Sequence, residues 1–301
     1  MGSPPPTPGR AHHLILNASG CLDALAAPHV ARQLDAYVTK TVTPLAREGN
    51  EPVRIAETDV GMLNSIGLAN PGIEAFIADV LPRLTELDIP VWVSVGGFAA
   101  RDYADLCGLL DEQDGVAVLE LNVSCPNVAA PEDEVAEIVA AARAATTKPL
   151  FAKLSPALPD IAAATASAAA AGADGLSLVN TVRGLALDSE LQPVLATTTG
   201  GLSGPALRPV ALAAVYAAYP VVDLPIVGMG GVETGRHALE FLAAGASACA
   251  LGTVLFRDPE APSRVRAELE SEAAERRLPT PLAARGAAHA KDGDEPLLAV
   301  A

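Results

Sequence analysis

The chain has 301 residues, half of them hydrophobic but only 3% aromatic, and sets 20 Lys+Arg against 36 Asp+Glu for a formal net charge of −16. So acidic a surface argues against nucleic acid or an anionic membrane as partner and for a soluble acidic enzyme. Cys21, Cys107, Cys125 and Cys249 form no C-x-x-C pair and no disulfide-like framework, which argues against a zinc site or iron–sulfur cluster and for a reducing, cytoplasmic setting. The proline-rich first ten residues lack the apolar run of a signal peptide. The most apolar stretch, residues 161–173, falls short of the roughly 20 residues that span a bilayer.

Short β-branched runs alternate along the chain with longer Ala/Leu/Glu runs of helical period. Strands are expected at residues 13–17, 36–42, 91–95, 116–123, 150–154, 175–179, 226–228 and 248–251. Helices are expected at 72–87, 101–111, 131–145, 158–171, 205–218, 235–244 and 259–274. Eight strands alternating with helices predict an α/β fold, a (β/α)8 TIM barrel with long loops at its C-terminal face. Several strand runs are continuously apolar, as strands buried on both faces must be. Two connections are unusually long, residues 43–70 after the second strand and 183–204 after the sixth, and connections of that length are usually functional. The reading is one barrel over 11–276, preceded by a disordered stub, 1–10, and followed by a loosely ordered tail, 277–301.

Chemistry collects at the strand ends. The fourth strand runs Leu119-Glu120-Leu121-Asn122-Val123-Ser124-Cys125-Pro126-Asn127, an apolar body ending in two amides and a thiol. Asn122 and Asn127 each donate and accept, which suits a flat ligand with both C=O and N–H groups. Cys125 between them can accept a proton, although a lone cysteine is more often a small buried hydrophobe. Asn64 and Asn180 occupy comparable positions, and four amides at one mouth would recognise a planar imide or pyrimidine ring. Lys40-Thr41 ends the second strand and Lys153 the fifth. A lysine there is costly unless paired, so two together suggest an anionic or electron-rich ligand, with snorkelling to solvent as the plainer account of either alone. Gly228-Met229-Gly230-Gly231 and Leu251-Gly252-Thr253 follow the seventh and eighth strands, where barrels often bind phosphate. Glu233 stands where a third glycine of G-x-G-x-x-G would be, so neither a dinucleotide fingerprint nor a P-loop is present.

Taken together, Asn17-Ala18-Ser19-Gly20-Cys21, Lys40-Thr41, the run from Gly61-Met62-Leu63-Asn64 to Pro71-Gly72, residues 119–128 and Lys153-Leu154-Ser155-Pro156 resemble the class 1 dihydroorotate dehydrogenases, FMN enzymes of pyrimidine biosynthesis. Asn180-Thr181, residues 200–205, 228–231 and 245–253 continue the likeness in the same order, from about residue 14 to about residue 259. The subtype most resembled is the NAD-linked 1B form, chiefly through 61–72 and 200–205.

The resemblance implies roles. Ala18, Ser19, Gly20, Lys40, Thr41, Ser94, Asn122, Lys153 and Val179 would lie near the flavin, with Lys153 at its N1/O2 edge. Ser203, Gly204, Gly230, Gly231, Gly252 and Thr253 would hold the ribityl chain and phosphate. Lys40, Asn64, Asn122, Asn127, Asn180 and Thr181 would bind orotate, with backbone N–H groups of Ser65, Ile66, Gly67 and Leu68 on its carboxylate. Cys125 would take the C5 proton while the C6 hydride leaves for the flavin. No metal is implied. A second subunit with FAD and an iron–sulfur cluster would be the partner of the NAD-linked form, in a homodimer or heterotetramer. Two departures stand out. The loop after Asn127 passes directly into Ala129-Ala130-Pro131-Glu132, shorter than in most members, and Ser94 occupies a place where the family often has Asn. They keep two alternatives open, an FMN oxidoreductase acting on a related cyclic imide or small acid, and a flavin- or phosphate-binding barrel with a structural role.

Overall fold

A computed structural model of the chain describes residues 14–123 and 132–290. Eight parallel strands form the centre. They are β1 (Leu14–Asn17), β2 (Tyr37–Val38), β5 (Val91–Val95), β6 (Val118–Asn122), β7 (Leu150–Leu154), β8 (Gly175–Leu178), β11 (Ile226–Met229) and β12 (Ala248–Leu251). The remaining strands, β3 (Ile55–Thr58), β4 (Gly61–Asn64), β9 (Val182–Gly184) and β10 (Gly200–Ser203), form a separate antiparallel sheet. The parallel sheet runs β1-β12-β11-β8-β7-β6-β5-β2, and a parallel bridge from Leu16 to Ala36 joins its two ends. This is the (β/α)8 barrel that the strand alternation predicts.

Alternation along each strand divides the side chains between the two faces. Leu16, Val38, Trp92, Val118, Phe151, Val227, Met229 and Ala248 pack together inside the barrel. The Trp92 and Phe151 rings meet at 4.7 Å, and Gly175 has no side chain because a Cβ there would lie 2.3 Å from the Phe151 ring. The opposite faces of the strands join the helices in one large outer core that includes Leu119, Leu121, Leu150, Leu154, Leu176 and Phe241.

The helices start and stop for local reasons. Asp160 caps Ile161–Ala170 by accepting from the Ala162 and Ala163 N–H groups. Thr234 caps Gly235–Ala244 in the same way. That helix ends at Gly245, whose φ of +122° and tight contact with the Tyr219 ring both require glycine. The helix expected at 72–87 is interrupted. Its middle turn, Phe76–Val80, is a π-helix between short α-helical pieces. Pro82 has no N–H to continue the ladder there.

Two readings from the sequence change. Residues 43–70 and 183–204 are not merely long loops. Each contributes two strands to the sheet β3-β4-β10-β9, with Asn64 opposite Gly201 and Met62 opposite Ser203. The tail read as loose from 277 is ordered and docked as far as Ala290. Gly286 N–H donates to Leu242 O, Arg285 Nε to Gly245 O at 3.1 Å, and the His289 ring stacks on Tyr216 at 3.9 Å. Pro281 and Ala284 are buried against the barrel. The polar composition of the segment hides these few anchors. The stub at 1–10 lies outside the described residues. A chain truncated after Arg277 is therefore expected to melt at least about 5 °C below the full chain, the order that follows from losing a few kcal/mol of packing. An unchanged melting temperature in calorimetry would show that the tail is a passive appendage.

Candidate active site

Above Phe151 and Val118 the inward positions turn polar. Ser94, Glu120, Lys153 and Ser177 come from four adjacent strands, β5 to β8, and all are buried. Lys153 Nζ lies 3.7 Å from Glu120 Oε1, and the Ser177 hydroxyl donates to Glu120 Oε2 at 2.8 Å. Lys40 leaves the end of β2 toward the same mouth, close under Gly20. A Cβ on Gly20 would lie 2.9 Å from Lys40 Cδ and 3.0 Å from Nζ, so the turn at Gly20 has to be glycine for the lysine to hold its course. Burial pushes the Lys40 ammonium below its ordinary pKa, Cys21 opposes this, and the charge of Lys153 adds to it. Burial pushes the Cys21 thiol up, against the pull of Lys153 and then Lys40. These couplings place the two ammonium groups and the thiol in one neighbourhood.

A hydrogen-bonded chain crosses the mouth. The Ser19 hydroxyl donates to Thr39 O at 2.8 Å and lies 3.4 Å from the Thr41 hydroxyl, which is 3.1 Å from that of Ser94. Asn122 Nδ2 donates to Thr41 Oγ1, and Asn180 Nδ2 donates to Asn122 Oδ1, both at 3.1 Å. Asn180 Oδ1 in turn accepts from the Thr181 N–H. The buried Tyr103 hydroxyl donates to Asn122 O at 2.8 Å and fixes the end of β6. On the far side, Val179 is buried, with its N–H on Met229 O.

The small sheet forms a wall of the mouth. Asn64 Nδ2 donates to Gly201 O, and Gly201 lacks a side chain because a Cβ would lie 2.1 Å from the Thr181 hydroxyl. Beyond Asn64 the backbone turns through Gly67 (φ +75°) and Leu68 (φ +56°). The Ser65 N–H is taken by Arg54 O, which removes it from the donors expected for a carboxylate. The N–H groups of Ile66, Gly67 and Leu68 donate to no described residue, which leaves them as the candidate donors on this turn. At the other end of β10, the Thr253 hydroxyl donates to Ser203 Oγ at 2.8 Å. Gly204, Gly230 and Gly231 all have positive φ, and a Cβ on Gly231 would lie 2.7 Å from Gly204 O. A Cβ on Gly252 would lie 3.6 Å from both Ala18 Cβ and Cys21 Sγ, so the ends of β1 and β12 meet here as well.

Residues 11–272 match the family model described as Dihydroorotate dehydrogenase. The chain belongs to the dihydroorotate dehydrogenase family. It is 47% identical over 268 residues, 86% of this chain and 87% of the other, to the protein named dihydroorotate dehydrogenase B (NAD(+)), catalytic subunit, of Desulforudis audaxviator. It is 45% identical over 244 residues, 78% of this chain and 80% of the other, to a putative dihydroorotate dehydrogenase A (fumarate) of Solibacter usitatus. A crystal structure of DHODH in complex with ferulenol, from Eimeria tenella, superposes with a TM-score of 0.78 at 24% identity, covering 92% of this chain and 85% of that one, and shows the same fold.

Within this dihydroorotate dehydrogenase fold, the expected residues Ala18, Ser19, Gly20, Lys40, Thr41, Asn64, Ser94, Asn122, Lys153, Val179, Asn180, Thr181, Ser203, Gly204, Gly230, Gly231, Gly252 and Thr253 fall on one mouth or its rim. Cys125 and Asn127 lie outside the described residues. Cys107 and Cys249 are core, and burial pushes each thiol up to about 12. Four participants escaped the sequence reading, namely Glu120, Ser177, Tyr103 and Cys21. Glu120 had a signal, because it is two residues from Asn122 and therefore on the same face of the strand.

The lowered pKa of Lys40 fixes the sign of a stability effect. Between its folded pKa and its ordinary value of about 10.5, the unfolded chain binds more protons, so the ligand-free protein gains stability as pH rises through that window. Lys40→Met is expected to raise the ligand-free melting temperature at neutral pH by a few degrees and to flatten its rise toward alkaline pH. A lower melting temperature across the whole pH range would show that Lys40 stabilises the empty site.

Proposed function

We propose that this chain oxidises dihydroorotate to orotate with FMN, and that Cys125 is the base. The observation that carries the reading is the convergence of Lys40, Lys153, Asn122, Asn180 and Thr181 with a glycine-lined cradle on one barrel mouth, in a member of this family. The residues present fit the cofactor. Gly204, Gly230 and Gly231 take positive φ and pack closely against neighbouring protein atoms, and the Ser203 and Thr253 hydroxyls beside them are groups that would donate to a phosphate. Ala18, Ser19 and Gly20 form the adjoining turn, and Lys153 supplies a buried positive charge where reduced flavin needs one. FMN, when bound, supplies the acceptor for the C6 hydride.

The remaining chemistry belongs to the chain. The Asn122 and Asn180 amides are already held in line, by each other, by the Thr41 hydroxyl and by the Thr181 N–H, so little side-chain freedom is lost when the pyrimidine ring docks. Asn64 and Asn127 complete that set. The N–H groups of Ile66, Gly67 and Leu68, which donate to no described residue, would take the carboxylate. The Lys40 ammonium would favour negative charge developing on the ring as the C5 proton leaves. Cys125 removes that proton, and its thiol must be poised by neighbours because a free thiol has a pKa of about 8.5. The Tyr103 bond to Asn122 O fixes the strand end from which the segment with Cys125 departs.

Relatives named as catalytic subunits of an NAD(+) enzyme support a second, electron-transfer subunit, and we propose that this subunit carries FAD and an iron–sulfur cluster. Among the described residues no group of three or more His, Cys, Asp or Glu could hold a metal ion, and no helix is long and apolar enough to cross a membrane.

Anaerobic mixing of the purified yellow protein with dihydroorotate is expected to bleach the flavin. Orotate binding without bleaching would overturn the assignment and favour the related cyclic-imide or structural readings. Cys125→Ala should retain flavin and lower turnover about 10²–10⁴-fold, the usual worth of a general base. A rate equal to that of the unaltered chain would remove Cys125 from the mechanism.

A further inference from the structure

Glu120 is a buried carboxylate, 1% exposed, to which the proposed reaction gives no task. It lies on β6 two residues before Asn122, beneath the mouth, and β6 is flanked by β7, which carries Lys153. Its two oxygens are treated unequally. Oε2 accepts from the Ser177 hydroxyl at 2.8 Å, whereas Oε1 has no hydrogen-bond partner among the described residues and is 3.7 Å from the Lys153 ammonium. A charge-assisted clamp would close to about 2.7–2.9 Å. At 3.7 Å the carboxylate attracts the ammonium without a hydrogen bond to it. Replacing a buried ion pair by apolar residues is often neutral or stabilising, so folding alone does not account for the pair.

We infer that Glu120 is the counter-charge of Lys153 and that it holds down the reduction potential of the flavin by offsetting part of that lysine's field, with Ser177 fixing the carboxylate in place. The inference rests on the FMN reading above. Two ammonium groups with no carboxylate beneath them would overstabilise the reduced, anionic flavin and make it a poorer donor of electrons onward. One carboxylate leaves the mouth with a single surplus positive charge, enough to favour negative charge on the flavin without trapping it there.

The test is an equilibrium redox titration of the FMN-loaded protein against a reference dye. Glu120→Gln, which is isosteric and can still accept from Ser177, is expected to raise the ratio of affinities for reduced over oxidised FMN about tenfold, the order for one charge removed in an interior of effective dielectric about 20. For a two-electron couple that is a rise of about 30 mV in midpoint. Glu120→Asp keeps the charge and should stay within about twofold of the unaltered chain. An unchanged or lowered midpoint in Glu120→Gln overturns the inference. So does a shift in Glu120→Asp as large as that in Glu120→Gln, because packing and not charge would then be its source. Should Glu120→Gln alone fail to fold, the comparison of Lys153→Met with the charge-neutral Lys153→Met/Glu120→Gln decides. The double variant must have the higher midpoint, and equality overturns the inference. Failure of the underlying reading looks different, because the unaltered chain itself would then not hold FMN or not be bleached by dihydroorotate, and the inference would fall with it.

Discussion

Two ammonium groups share one end of an otherwise apolar barrel, and a single carboxylate lies beneath them. Burying a charge without a partner is among the costliest things a fold can do. Lys40 shows this in its lowered pKa, which burial causes and Lys153 aggravates. The barrel tolerates the arrangement because the strands around it are otherwise well satisfied. Asn17 bonds Val38 through both ends of its amide, Thr39 accepts from the Ser94 N–H, and the hydroxyls of Ser19, Thr41 and Ser94 form a continuous run. The instability is thus concentrated on Lys40, at the place where an anion can relieve it. Such a site trades stability of the empty protein for affinity.

Much of this was legible in the chain, for a physical reason. A strand buried on both faces must be apolar throughout, so any charged or amide residue near its end stands out. Lys40, Lys153, Asn122 and Asn180 were visible in that way, and the boundaries of β5, β7 and β12 coincide with their apolar runs. Glu120 and Ser177 were harder to see because they interrupt their strands singly, between leucines, and their meaning comes only from the lysine across the sheet. The small sheet was invisible for a different reason. Its β4–β10 pairing joins segments more than a hundred residues apart, and Gly200-Gly201-Leu202-Ser203 has almost no intrinsic strand preference. The docked tail was misread because a handful of anchors, Arg285 and His289 among them, fix a segment whose composition looks unstructured.

The small sheet also explains how two ligands can be held by one wall. Strand β10 is four residues long. At one end Gly201 touches the Thr181 hydroxyl and takes the amide of Asn64, on the side expected to hold the pyrimidine. At the other end Ser203 bonds Thr253, and Gly204 abuts Gly231, on the side expected to hold the phosphate. Pairing with β4 and β9 on either edge keeps this ribbon from bending. The distance between the two halves of the site is therefore set by strand geometry, at about 3.3 Å per residue, and not by a loop free to adjust.

That rigidity limits what sequence change the wall can accept. The glycines at 201, 204 and 231 are each in contact with backbone or a hydroxyl at distances where no Cβ fits. Bulk added at any of them must push either the Thr181 side or the phosphate side outward, and the ribbon passes the push along. Side chains elsewhere in the mouth are less constrained, because Asn122 and Asn180 reach the site from separate barrel strands. Divergence in substrate within this architecture would then be expected at the amides, which can be exchanged one at a time, while the glycine ribbon that spaces the two ligands stays as it is.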